Sequence, residues 1–530
     1  MTRPRTSGPA AAGGEKLSLG SAAGRWIVAA SVLGSGAVFL ESTVVTVALP
    51  AIAREFALDL GGLQWVVDGY LLTLGALMLL GGSLGDRLGR RRVFAWGAVA
   101  FAVISTLCAV APTLRTFLAL RLLQGAAGAL LVPNSLALLE ASFDGEEQGV
   151  AIGRWAGWSA VSTAAGPLLG GWVVDAMSWR WVFGVITPVS LAAAWIIMRQ
   201  APIAERGANA GRSNAGRSNA GRSNTGRTSA VRTADGPAMR RIDWPGATLA
   251  TTGLGAIVWA LIEGPARGVR DPAVLATGLG GLACLVAFTL VERRTSHPLL
   301  PLSMFRSRQF TGTNIITLLV YAPLGALFFL LILQLQNVLG YSALEAGAAI
   351  LPINVIMLAL SPSAGRVSAR IGPRAPMAIG AFVAGVGLLL MARVQGGTAY
   401  VETALPALVV LGVGLAILVA PLTAAVLGAV DESEVGVASA VNNAVARLAG
   451  LLAIAALPLA AGIASSERTG GEEFATGFAR AMWIGAALCA AAAAVALLTV
   501  RRGGRTVVAP HPSPSHACVG AGASVAGKSI

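Results

Sequence analysis

Charge is scarce in this chain. Asp, Glu, Lys and Arg together make up 12% of its 530 residues, about half of what a soluble protein carries. Hydrophobic residues reach 55% and the mean hydropathy is +0.72, so soluble enzyme folds are excluded. Lysine is nearly missing: Lys16 and Lys528 are the two present, and arginine supplies the rest of the 39 basic residues. His297, His511 and His516 all fall outside the apolar runs. Cys108, Cys284, Cys489 and Cys518 are scattered, with no CxxC spacing, so neither a disulfide framework nor a zinc site is supported. No GxxxxGK[ST] and no HExxH occurs, which removes ATP hydrolysis and metalloprotease chemistry. Gly81-Gly82-Ser83-Leu84-Gly85 fits the hydrolase pattern GxSxG, but no histidine stands in a triad position. The chain is read as no enzyme, with no metal and no cofactor.

What fills the space is a series of apolar runs of helix length bounded by charges. Membrane helices are predicted at 26–50, 62–84, 93–112, 116–139, 155–174, 181–198, 244–262, 273–291, 310–339, 346–365, 375–392, 403–430, 435–464 and 481–500. The runs are continuous rather than alternating, which favours helices over a barrel. The first run follows Arg3, Arg5, Lys16 and Arg25 and is too long for a cleaved signal peptide, so it reads as a retained helix. With the N-terminus inside, most arginines fall on one side, in 85–92, 199–241, 293–308, 366–374 and the C-terminal tail. The other side keeps Arg54, Arg115, Arg180, Arg267, Arg270, Arg393, Arg468 and Arg480. This asymmetry predicts a cell-membrane protein with both termini cytoplasmic. The net charge of +14 is thus a matter of topology, and nucleic acid is not an expected partner.

Ala-Gly-Arg-Ser-Asn repeats at 210–214, 215–219 and 220–224 inside the one long hydrophilic stretch. Its Gly/Ser period fits neither helix nor strand, so 201–243 reads as a disordered cytoplasmic linker, a solvated spacer or a binder of anionic lipid. A second repetition is structural. Gly82-Ser83-Leu84-Gly85-Asp86-Arg87-Leu88-Gly89-Arg90-Arg91 follows the second run. Gly365-Arg366-Val367-Ser368-Ala369-Arg370-Ile371-Gly372-Pro373-Arg374 follows the tenth. Both outer glycines and two arginines match, while Asp86 becomes Ala369. Pro133 likewise matches Pro421, and Asp144 and Gly149 match Asp431 and Gly436. These ordered matches read as a diverged duplication. The expected domains are a cytoplasmic tail 1–25, a six-helix bundle 26–200, the linker 201–243, an inserted helix pair 244–292, a second six-helix bundle 293–500 and a cytoplasmic tail 501–530. Repeated halves with a site at their interface are a common plan of secondary transporters.

The segment Gly82–Arg91 resembles the signature loop of the major facilitator superfamily. Fourteen runs point to its drug:proton antiporter branch (QacA/EmrB-like). Leu40-Glu41-Ser42-Thr43-Val44-Val45-Thr46-Val47-Ala48-Leu49-Pro50 resembles that branch's first-helix motif, with Glu41 where Asp is usual and Thr46 where Asn is usual. Arg121-Leu122-Leu123-Gln124-Gly125-Ala126-Ala127-Gly128 resembles the fourth-helix motif. Ala165-Gly166-Pro167-Leu168-Leu169-Gly170-Gly171 resembles the antiporter motif of the fifth. The resemblance implies an all-α integral membrane protein of the major facilitator fold, with 14 transmembrane helices: two six-helix bundles and two extra helices inserted between them. It also implies a gate latch in which Asp86 faces a helix N-terminus or an arginine of the other half, beside Arg87, Gly89, Arg90 and Arg91. Topology and turn formation are the alternative role for that segment, the latch being the favoured one. Gly166, Pro167, Gly170 and Gly171 read as a hinge, or as plain close packing of small residues.

Glu41, Asp68, Arg121 and Arg447 are the ionisable residues inside the predicted runs. A charge at mid-bilayer costs several kcal/mol, so each is a candidate for proton coupling or substrate binding. At about 1.5 Å per residue, Glu41, Asp68 and Arg121 fall in the outer half at similar depth. A cluster of two acids and one arginine is therefore predicted. Burial opposes ionisation while a guanidinium favours it, so moving Arg121 would switch proton affinity between the faces; a static, self-neutralised trio is the alternative. Arg447, beside Asn442 and Asn443, reads as an anion site or as satisfied structural polarity. The expected function is a proton-coupled multidrug exporter of small hydrophobic, cationic compounds working by alternating access. Its partners are drugs or metabolites, protons and membrane lipids, and the chain is read as a monomer. An exporter dedicated to one endogenous metabolite or lipid is the first alternative, and a non-transporting membrane scaffold or sensor the second.

Overall fold

A computed structural model describes residues 17–200, 243–295, 300–431, 434–463 and 470–501. Residues 1–16, the linker repeats, residues 502–530 with Cys518, and all three histidines lie outside the described residues. Within them no strand occurs. Cys108, Cys284 and Cys489 are free thiols.

The first six helices are α1 (Ala22–Phe56), α2 (Leu60–Leu88), α3 (Arg90–Ala109), α4 (Leu114–Ser142), α5 (Gly145–Ala176) and α6 (Trp181–Gln200). A pair follows, α7 (Trp244–Arg267) and α8 (Pro272–Arg294). Then come α9 (Arg308–Leu333), α10 (Ala343–Ala349), α11 (Leu351–Ile371), α12 (Arg374–Met391), α13 (Ala404–Leu427), α14 (Val435–Ala460) and α15 (Glu472–Thr499). Short polar residues start many of them by accepting orphan amides. Ser21 accepts from Gly24 N at 3.0 Å, Asp59 from Gly62 N at 2.8 Å and Asp243 from Gly246 N at 2.8 Å. Ser342 and Glu345 form a reciprocal capping box at the start of α10.

Thirteen helical stretches of the described residues are long and apolar enough to cross a membrane. The remaining helix of comparable length is α5, whose many Gly, Ser, Thr and Trp residues dilute its hydropathy. The helices outrun the predicted apolar runs at their ends. The 35 residues of α1 span about 52 Å at 1.5 Å each, more than the ~30 Å hydrocarbon layer. Helix continues into the polar zone because caps, not the membrane boundary, end it. Arg480, expected in an external loop, accordingly lies inside α15. The predicted run 310–339 closes in a π-helical turn at Gln334–Val338, and 346–365 is divided into α10 and α11, with Pro352 in the first turn of α11.

The segment Gly82–Arg91 is not a loop. It is the last two turns of α2, a single glycine and the start of α3. Gly89 carries φ +98° and Gly372, its counterpart in the second half, carries φ +85°. Both positions turn one helix into the next through a conformation that disfavours any side chain. The duplication read from sequence thus recurs in the backbone.

Helices α1 to α6 pack mutually, α1 against α4, α5 and α6, and α3 against α4 and α6. Helices α9 to α15 do the same, with α12 on α13 and α15, and α9 on α14 and α15. The architecture is two six-helix bundles with α7 and α8 added. Helix α7 lies along the seam between α2 and α14: Leu254, Val258 and Ile262 pack with Leu72, Leu451 and Ala455. Helix α8 packs on α7 and turns most of its surface outward.

The described hydrogen bonds between the bundles all lie at one end. Gln64, in the first turn of α2, donates to Ile454 O at 2.6 Å, and Gln336 donates to Val47 O at 3.0 Å. The Asp175 carboxylate accepts from Ala343 N at 3.2 Å and Leu344 N at 2.8 Å, capping α10 from the other bundle. At the opposite end, which carries Asp86, no described hydrogen bond joins the bundles, and a Cβ placed on Gly153 or Gly157 in the first half of α5 would meet nothing within 4 Å. The space between the bundles therefore opens toward the Asp86 end and is shut at the Asp175 end. Gly347 makes the closure possible, because a Cβ there would lie 2.1 Å from Pro167 O. Gly347→Val is expected to force the shut end apart. Spin labels on the exposed residues Met177 and Val401 would then report a longer distance than in the parent; an unchanged distance would refute the assignment.

Candidate functional site

Arg121 and Glu41 meet at the heart of the first bundle. The approach begins with Gly125: a Cβ there would fall 2.2 Å from Tyr70 O, so α2 and α4 touch backbone to backbone. Thr73 Oγ1 donates across this contact to Leu122 O at 2.7 Å. Arg121 is thereby held against α2 and its Nε donates to Val66 O at 2.9 Å. Its Nη1 donates to Gln124 Oε1 at 2.7 Å and forms the ion pair with Glu41 Oε1. Gln124 in turn donates to Ser105 Oγ on α3 at 2.9 Å. The guanidinium carbon stands 4.6 Å from the Tyr70 ring centroid and 5.9 Å from that of Phe183, a cation–π enclosure. Glu41 and Arg121 are at most 1% exposed. An ion pair so desolvated survives only with such geometry and extra hydrogen bonds. Glu41 Oε2 has no hydrogen-bond donor among the described residues.

Asp68 does not join this pair. It is fully buried, and neither carboxyl oxygen has a hydrogen-bond partner among the described residues. The reason is its direction. Gln64, Asp68 and Gly75 fall within one narrow stripe of α2. Gln64 bonds Ile454 O, and a Cβ on Gly75 would meet Leu448 and Arg447. That stripe faces α14, so Asp68 lies in the seam between the bundles, while Arg121 approaches α2 from α4. The predicted trio is a pair plus a separate acid.

Arg447 is half-buried on α14. Its guanidinium carbon is 5.0 Å from the Phe39 ring centroid on α1, across the gap between the bundles. Tyr70 and Tyr321 lie within its electrostatic reach. No carboxylate of the described residues pairs with it. The neighbouring Asn442 is committed elsewhere, donating to Thr317 Oγ1 at 2.7 Å and Asn314 Oδ1 at 3.2 Å on α9.

Asp86 is exposed and pairs with Arg90, which donates from Nε at 2.9 Å and Nη2 at 2.8 Å. Arg90 also reaches Ala137 O on α4 at 2.8 Å, and Arg91 reaches Ile197 O on α6 at 2.9 Å. These bonds all stay within the first bundle. The expectation that Asp86 faces an arginine of the other half is not met in this conformation, because the bundles part at this end. Arg87 is exposed, and Gly82 faces Pro133 at ordinary contact distance. In the fifth-helix motif, Gly166 lies against Thr43 and Leu40 O, and Gly170 against Val44 O. Gly171 lies against Ala343 O of the second bundle. The motif thus serves two close approaches at once, to α1 and across the shut end, and Pro167 sits between them.

Sequence reading missed Tyr70, Gln124, Phe183, Phe39 and Tyr321. Gln124 carried a signal, since it follows Arg121 at the i,i+3 spacing of one helix face. The aromatic residues carried none, because their sequence neighbours give no sign of which helix face meets a cation.

The chain belongs to the Major Facilitator Superfamily, whose pattern matches residues 31–454. The tetracenomycin C resistance and export protein of Streptomyces glaucescens is 32% identical over 444 residues, 83% of this chain and 76% of that one. The puromycin resistance protein of Streptomyces alboniger is 34% identical over 435 residues, 81% of this chain and 80% of that one. A D-xylose–proton symporter of known crystal structure shares the fold, with a TM-score of 0.60 at 13% identity over 90% of this chain and 98% of that one. The chain is a multi-pass membrane transporter and not an enzyme.

The buried pair sets a double-mutant test. Arg121→Met leaves Glu41 uncompensated and is expected to destabilise the protein by about 3–5 kcal/mol. Adding Glu41→Leu to it should recover most of that loss. Thermal unfolding in detergent checks this; a double variant melting below Arg121→Met contradicts it.

Proposed function

We propose that this chain is a proton-coupled efflux transporter that expels small apolar compounds, antibiotics among them, by alternating access. The names of its relatives, a tetracenomycin C resistance and export protein and a puromycin resistance protein, support export of toxic compounds. The arginine-rich end, with Arg87, Arg90 to Arg92, Arg366, Arg370 and Arg374, is the cytoplasmic one by the positive-inside rule. The conformation described is then open to the cytoplasm and shut to the outside.

The observation that carries proton coupling is Asp68 enclosed in the α2–α14 seam without a donor. An acid held this way exchanges its proton only when the seam parts, which ties protonation to the change between open states. Glu41 supplies the second element. A proton on it discharges the ion pair and leaves Arg121 held by Val66 O, Gln124 and two rings. That exchange alters what α4 holds on α1, the helix that also contacts the second bundle. The Asp86–Arg90 pair acts as a latch in the opposite state, when the cytoplasmic ends come together. The cargo binds between the bundles, where Phe39 and Arg447 meet. A cationic cargo finds no exposed carboxylate there: Glu41 is paired and Asp68 is sealed.

The test is transport in proteoliposomes. Glu41→Gln and Asp68→Asn are each expected to fold, and at least one is expected to abolish cargo-driven proton movement while cargo binding persists. Coupling unchanged in both variants would remove these acids from the mechanism.

A further inference from the structure

We propose that Arg447 is the anchor for an acidic group on the cargo, and that the preferred cargo is an aromatic weak acid carrying a carboxylate or phenolate. The inference rests on the export reading above and gives its substrate class. A guanidinium in a low-dielectric space is costly unless a counter-charge and hydrogen-bond acceptors satisfy it. Arg121 shows what satisfaction looks like in this protein: an acid, a carbonyl, an amide and two rings. Arg447 has one ring, Phe39 at 5.0 Å, and no hydrogen bond or ion pair with any described residue. The two acids nearest the centre do not reach it. Glu41 is taken by Arg121. Asp68 lies about two helical turns along α2 from Gly75, the glycine against which the Arg447 stem packs.

The missing acceptors therefore have to come from what enters the gap. The fork of a guanidinium matches a carboxylate in two parallel bonds. The surroundings specify the rest of the cargo. Phe39 offers a face, and it also makes an edge contact with Trp155 at 6.5 Å. Tyr321 comes from α9 and Phe39 from α1, so aromatic surface of both bundles adjoins the cation, while the Tyr70 ring is buried against Arg121. Asn443, one turn nearer the open end on the face of Arg447, is exposed and adds a polar step on the way in. A planar acid stacked on these rings would contact both bundles and bridge them at the point where they separate.

Two xanthene dyes of similar shape and opposite charge provide the probe: fluorescein, anionic, and rhodamine 123, a methyl ester that lacks the free carboxylate and is cationic. Fluorescence polarisation with the detergent-purified full chain measures binding. The parent is expected to bind fluorescein at least about tenfold more tightly than rhodamine 123. Arg447→Gln should lose that preference, Arg447→Glu should reverse it, and Arg447→Lys should keep it with weaker binding. Short-chain phosphatidylglycerol should displace fluorescein poorly. Failure of fluorescein to bind, a preference for the cation, or a preference unaltered in Arg447→Gln and Arg447→Glu overturns the proposal. Equal displacement by the lipid overturns its aromatic part. Export itself is read separately, as proton-gradient-driven efflux of either dye: efflux of the cation alone refutes the acid site and leaves the export reading standing, whereas efflux of neither refutes that reading.

Discussion

A charge taken out of water must be met by another charge or by hydrogen bonds, and the layout of this protein follows from how few charges it takes in. Arg121 is met fully. Its partners come from α1, α2, α3 through Gln124 and Ser105, and the rings of Tyr70 and Phe183. The first bundle is pinned around one guanidinium. The glycines of α4 exist to bring backbone close enough for that, and a side chain at Gly125 would undo it. The ion pair is best regarded as an element of specificity rather than of net stability, since desolvation offsets most of its attraction. What it secures is a single arrangement of five helices that a proton on Glu41 would perturb.

Two further ionisable groups near the centre, Asp68 and Arg447, are met incompletely, and in the proposed account that contrast separates scaffold from working parts. Asp68 sits in the seam between α2 and α14. Arg447 faces the gap between the bundles, where the proposed cargo binds. One is enclosed where the bundles touch and the other stands where they part. A transporter needs both kinds of position: a group whose access changes with conformation, and a group whose partner arrives from outside. The inserted pair fits the same plan. Helix α7 seals α2 against α14 on the membrane side of the Asp68 seam, with Leu254, Val258 and Ile262 filling the groove.

Much of this could be read before any coordinates. Continuous apolar runs gave the helices, and the match of Gly89 to Gly372 gave the duplication, because a positive φ between two helices leaves little choice but glycine. The pairing of Glu41 with Arg121 was legible from depth alone, since both had to be buried in one bundle. Depth could not place Asp68, because it says nothing of direction around the helix axis. The stripe shared with Gln64 and Gly75 becomes meaningful only when α14 is known to lie there. Helix ends were misjudged for a related reason: hydropathy marks the edge of the hydrocarbon, whereas Ser21, Asp59 and Asp243 mark the start of the helix. The state of the Asp86 segment could not be read at all, since a sequence describes every conformation of the cycle and a structure one.

The central claim is that transport is tied to protonation of acids the bundles enclose. Proton exchange on binding tests it most directly: cargo is added to purified protein in weakly buffered detergent solution and the pH change is recorded. The account predicts exchange of about one proton per chain, lost when Glu41 and Asp68 are both made neutral. Saturable binding with no proton exchange at any pH would contradict it.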